Sequence, residues 1–125
     1  LRLGQERPSL NVVYDQIGTP TFAGDLAQAL MQILERIRLK TVDEKDWHGI
    51  FNFSNEGVGS WYDFALAIFR RSHVDCGVTP IRTEAYPTPA QRPPFSSMDK
   101  GKIKNTFQLE IDHWESALIR CLQQR

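Results

Sequence analysis

The sequence predicts an α/β fold, with few strands alternating with about three to four helices. Two observations carry that class. Short β-branched or aromatic runs, such as LNVVYD and GIFNF, are separated by longer segments whose apolar residues return at helical spacing. The composition is also that of a packed domain, 41% hydrophobic with 24% charged residues in 125 positions, so a single domain with a real core is expected.

The elements follow in order. The opening LRLGQERPSL reads as the tail of a helix and a turn, and the chain starts at Leu1 rather than Met. Both point to a fragment or an excised domain. Leu10 to Asp15 is β-branched and bounded by Pro8 and Gly18, which predicts a first strand. Gly18 to Pro20 makes a turn. In Phe22 to Lys40, Leu26, Leu30, Ile33, Leu34 and Ile37 share one helical face, with Thr21 as candidate N-cap and Asp25 in the first turn. Lys40 to Trp47 is polar and looped. Gly49 to Phe53 reads as a second strand.

A second helix begins at Ser60, where Ser60 and Asp63 have capping-box spacing. Trp61, Phe64, Ala65, Ile68 and Phe69 predict its core-facing stripe. Val78 to Ala85 reads as a third strand. Met98 to Phe107 predicts a short helix capped by Asp99 and weakened by Gly101. The last helix starts near Asp112, with Glu115 completing its cap and Trp114, Ala117, Leu118, Cys121 and Leu122 on one face. Three strands alone make a thin sheet, so some edges are expected to pair with a part of the protein outside this chain.

Several function classes drop out. Lysine plus arginine equals aspartate plus glutamate, 15 each, which argues against nucleic-acid and membrane-surface partners. Cys76 and Cys121 form no CxxC and suit buried thiols in a reducing compartment. His48, His73 and His113 have no ligand at metal spacing. The segment EGVGSWY, Glu56 to Tyr62, joins a strand to a helix, but the third glycine of GxGxxG would fall at Tyr62, so it reads as a tight turn. No GxxxxGK(S/T) and no nucleophile elbow occur. Lys100, Lys102 and Lys104 alternate and read as a solvated face.

Two stretches stand out. DQIGTPT, Asp15 to Thr21, carries a strand end into a helix start, a common ligand position in α/β folds and equally an ordinary capped turn. AYPTPAQRPPFS, Ala85 to Ser96, sets Pro87, Pro89, Pro93 and Pro94 around Arg92. No helix or central strand holds that many prolines. It is either a rigid crossing loop or a preorganised wall that presents an arginine fork to a phosphate or carboxylate.

Taken in order, VVYDQIGTPTFAGDLAQAL, GIFNFSNEGVGSWYDFALAIF, YPTPAQRPPFSSMDKGKIK and a tryptophan-bearing last helix resemble the C-terminal part of the dTDP-4-dehydrorhamnose reductase family, within the extended short-chain dehydrogenases. The resemblance runs from Leu1 to about Leu122. It implies that residues 1–125 are a substrate-binding portion whose N-terminal Rossmann coenzyme domain lies outside this chain. The parent would reduce dTDP-6-deoxy-L-lyxo-4-hexulose to dTDP-L-rhamnose with NADPH or NADH, for bacterial surface polysaccharide, in the cytoplasm. The family's YxxxK pair is absent here: Tyr14, Tyr62 and Tyr86 have Gly18, Leu66 and Ala90 four positions on. The implied substrate residues are Arg92, with Pro93 and Ser96 shaping its loop, and Asp15, Gln16, Thr19 and Thr21 on the neighbouring wall. No catalytic, coenzyme or metal residue is expected in this portion. Its expected partners are the dTDP-sugar, the parent's own Rossmann domain and, in a homodimer, a second copy. The same body also serves as a non-catalytic regulatory subunit, as in the beta subunit of methionine adenosyltransferase.

Overall fold

A computed structural model describes residues 1–124. Its order is α1 (Arg2–Glu6), β1 (Ser9–Val13), β2 (Ile17–Gly18), α2 (Ala23–Arg38), β3 (Gly59–Ser60), α3 (Trp61–Arg71), β4 (Gly77–Ile81), α4 (Gly101–Phe107) and α5 (Trp114–Gln123), with 3-10 turns at Glu44–Asp46 and Thr83–Ala85. The α/β class holds, with five helices among the described residues where the periodicity predicts about three to four.

β1 and β4 pair in parallel, Ser9 opposite Gly77 through Val13 opposite Ile81. α3 packs on both strands and on α5, which is why Phe69, Trp114, Ala117 and Leu118 are buried. Pro80 sits within β4, which is tolerable on an edge strand. A second core forms around Ala29, Ile103, Phe107 and Leu109, with Ile33, Ile37, Phe51 and Phe53 packed against it.

Several expectations change. Gly49 to Phe53 is not a strand: it finds no ladder partner among the described residues, so its phenylalanines serve the core without a sheet. Val78 to Ala85 ends as a strand at Ile81 and turns into a 3-10 segment, drawn by Thr83, whose N–H and hydroxyl both donate to the Asp15 carboxylate. The α2 face is split. Ala29, Ile33 and Ile37 form one i, i+4 row on the core, while Leu26, Leu30 and Leu34 form the next row and stay exposed. The lysines are a solvated face only in part, since Lys102 is exposed and Lys100 is not. Lys100 is buried and pairs with Glu56 at 3.2 Å, Lys104 reaches the same carboxylate at 2.8 Å, and Lys102 lies 4.1 Å over the Phe51 ring. Cys76 and Cys121 are free and half-buried rather than buried.

The caps were partly legible. Ser60 and Asp63 form the expected capping box, Ser60 Oγ accepting from the Asp63 N–H and Asp63 accepting from the Ser60 N–H at 2.8 Å. Thr21 does not cap α2; its hydroxyl donates to the Thr19 carbonyl. The Phe22 N–H donates instead to Asn55 Oδ1. The last helix is capped by the His113 ring, which accepts from the Glu115 N–H, and not by Asp112 with Glu115.

Candidate functional site

The proline stretch is stitched to β2. The Ile17 N–H donates to the Pro94 carbonyl at 2.8 Å, and the Ser96 N–H returns a bond to the Ile17 carbonyl at 2.9 Å. On its other side β2 pairs antiparallel with β3, Ile17 opposite Ser60 and Gly18 opposite Gly59. Three backbone segments therefore lie side by side, with Ile17 in the middle. Prolines have no N–H to complete a longer ladder, so the pairing stops after one bridge. Gly18 allows the close approach: a Cβ there would stand 3.0 Å from Ser96 Oγ.

Above this floor opens a cleft of about 610 Å³, lined by Gln16, Thr19, Pro20, Gly59, Ser60, Trp61, Phe64, Arg92, Pro93 and Ser96 beside Ile17 and Gly18. Gln16, Thr19, Arg92, Pro93 and Ser96 are thus brought together from two distant stretches. Thr19 is fixed by donating to the Gly57 carbonyl at 2.9 Å. Ser96 Oγ donates to the Ile17 carbonyl. Gln16 Nε2 donates to Thr83 Oγ1. Arg92 is exposed and has no hydrogen-bond or ion-pair partner among the described residues, so its fork is available to an anion.

Asp15 and Thr21 are not among the lining residues. The Asp15 carboxylate is taken up by Thr83, whose hydroxyl, 2.8 Å away, holds its pKa below the ordinary aspartate value. It pins the end of β1 to the turn after β4. Trp61 lies on the stripe whose spacing predicts core, yet it is 59% exposed and stands in the cleft wall. As the first residue of α3 it has no preceding helical turn to pack beneath. Phe64, one turn on, makes an edge contact with Trp114 with ring centres 6.0 Å apart.

The cleft holds no group suited to proton transfer near neutrality. Its polar side chains are amide, hydroxyl and guanidinium. The loop from Glu56 to Ser60 does not suit a coenzyme pyrophosphate either. The N-terminus of α3 is satisfied by Ser60 and Asp63, and the His113 ring occupies the space over Gly57, which has φ +80°. What the arrangement offers is binding: one free cation, a rigid proline edge and exposed aromatic surface.

A model of the RmlD substrate binding domain matches residues 1–125. The chain belongs to that family. The motif resemblance and the family match agree. A dTDP-4-dehydrorhamnose reductase of Aggregatibacter actinomycetemcomitans is 43% identical over 94% of this chain and 41% of its own length. The spore coat polysaccharide biosynthesis protein SpsK of Bacillus subtilis is 34% identical over the whole chain and 40% of its length. Among solved structures, the dTDP-4-dehydrorhamnose reductase of Bacillus anthracis, in complex with NADP, superposes with a TM-score of 0.87 at 31% identity, over 99% of this chain and 41% of that one. The orthologue from Clostridium acetobutylicum gives 0.82 at 36% identity, over 99% and 42%. The chain therefore spans about two fifths of the relatives it matches, and its α/β architecture is theirs over that span.

Proposed function

We propose that residues 1–125 are the substrate-side portion of a dTDP-4-dehydrorhamnose reductase, whose parent reduces the 4-keto group of dTDP-6-deoxy-L-lyxo-4-hexulose with NAD(P)H. The observation that carries this reading is the cleft itself. It joins the two motifs that resemble the reductases, and it leaves Arg92 unpaired on a proline edge. A dTDP-sugar brings a diphosphate, which suits a planar guanidinium. Gln16, Thr19 and Ser96 line the neighbouring wall, and Pro93 fixes the approach of the loop.

In this reading the hydride and proton come from the parent's Rossmann domain, and the portion described here binds without catalysing. The exposed leucine row of α2 and the unpaired Gly49–Phe53 segment are the surfaces that domain would cover. The parent would work in the cytoplasm, as a homodimer. Among the described residues no helix is long and apolar enough to cross a membrane.

The test is calorimetric titration of dTDP-rhamnose into the full-length protein that carries this chain, with and without Arg92→Ala. Loss of a charge-assisted contact should weaken binding by about 1–3 kcal/mol. Unchanged affinity would reduce the proline stretch to a rigid crossing loop. No binding by the unmodified protein would sink the reductase reading and turn attention to a regulatory subunit of the same body.

A further inference from the structure

We propose that Trp61 is the stacking platform for the pyrimidine base of the nucleotide-sugar; this rests on the reductase reading above. A large indole left 59% exposed in a cleft wall is not there for the core. Its backbone is held firmly. Ser60, the residue before it, is buried, pairs with Ile17 and closes the capping box with Asp63. Trp61 therefore starts α3 from a fixed point, and a stacking surface fixed in advance loses little freedom when a ligand arrives.

The geometry also says which part of the ligand lies here. The floor runs from the proline segment through Ile17 to Ser60, two strand spacings of roughly 4.8 Å each. Arg92 joins the cleft lining from the proline segment, and Trp61 joins it from the position after Ser60. A cation contributed by one edge segment and a π face contributed by the other match a diphosphate joined through a ribose to a planar base. The lining sets a guanidinium and an indole in one cleft, which suits a diphosphate and a base better than a keto-sugar. The non-reacting end of the substrate belongs here, with the sugar directed out of the cleft. Pro20 and Phe64 extend the apolar surface around the indole.

The experiment titrates dTDP, which has the base and both phosphates but no sugar, into the full-length protein and its Trp61→Ala, Trp61→Phe and Arg92→Ala variants. Affinity and tryptophan fluorescence are both read. Stacking predicts that dTDP quenches the wild-type fluorescence and that Trp61→Ala weakens dTDP binding about tenfold or more. Trp61→Phe should keep affinity within about threefold, because a smaller ring still stacks, while the quench attributable to the indole disappears. Wild-type dTDP affinity in Trp61→Ala, or an undiminished quench in Trp61→Phe, overturns the platform. If Arg92→Ala still weakens binding in that case, the reductase reading stands without it. If Trp61→Ala does not fold, the quench in Trp61→Phe decides alone. Absence of dTDP binding by the wild-type protein removes the reductase reading and the platform together.

Discussion

Asn55 shows what a single residue can carry. It is fully buried, and its amide serves three partners: Oδ1 accepts from the Phe22 N–H, and Nδ2 donates to Asp25 at 2.6 Å and to the Asp112 carbonyl at 3.1 Å. Asp25 in turn accepts from Arg120 at 2.7 Å. Asn55→Ala strands a helix-start N–H and takes one of two donors from the partly buried Asp25 carboxylate, and should cost about 2–4 kcal/mol, read from a denaturant melt. A loss under about 1 kcal/mol would mean that water replaces the amide easily. Glu56, its neighbour, faces Lys104 and the buried Lys100, and the Lys104 hydrogen bond leads in holding its pKa below the ordinary glutamate value. A lowered carboxylate pKa stabilises the fold above the unfolded value and loses that contribution as pH falls through the folded one. Glu56→Gln should therefore be less stable than wild type at pH 7, and the two should converge as pH drops from about 4.5 downward. A constant difference across that range would contradict the ion-pair account. At this scale the two motifs, Gln16 with Thr19 and Arg92 with Pro93 and Ser96, are each local enough to read, and the structure lines one cleft with all five residues. Asn55 was not, since nothing in its own neighbourhood marks a side chain that answers to residues 30 and more positions away.

Elements were legible where their signals are local and failed where a distant group supplies them. Ser60 and Asp63 are three apart, so their capping box could be read directly. The α2 start could not, because its first free N–H is met by Asn55 rather than by Thr21. The two-residue strands β2 and β3 escaped notice because neither is long enough to show alternation, yet they build the cleft floor. The capping box has a consequence for that floor. Ser60→Ala removes the oxygen that accepts from the Asp63 N–H and should cost about 0.5–2 kcal/mol of stability. Because Trp61 follows at once, the same change should also weaken dTDP binding in the full-length protein. Loss of stability with unaltered binding would show that the cap supports the helix without positioning the indole.

The whole molecule exposes the limit of pattern reading. Amphipathic spacing tells that a face is covered, not by what. On α2 the pattern covers two adjacent rows, and this chain supplies a partner for only one, leaving Leu30 51% and Leu34 60% exposed. Parallel strands are ordinarily buried on both faces, yet β1 and β4 stand as a pair here. Both features fit a chain that spans two fifths of its relatives. On the proposed reading the missing cover is the parent's own Rossmann domain, which makes the leucine row a core in one context and a surface in the other. The double substitution Leu30→Glu with Leu34→Lys separates the two. In residues 1–125 alone it should change stability by no more than about 0.5 kcal/mol, as expected for exposed positions. In the full-length protein it should cost roughly 3 kcal/mol or more, since it puts charges where leucines are buried. Thermal melts of both lengths supply the comparison. A full-length protein as indifferent as the shorter chain would show that the row faces solvent throughout, and the parent's coenzyme domain would then have to dock elsewhere on this fold.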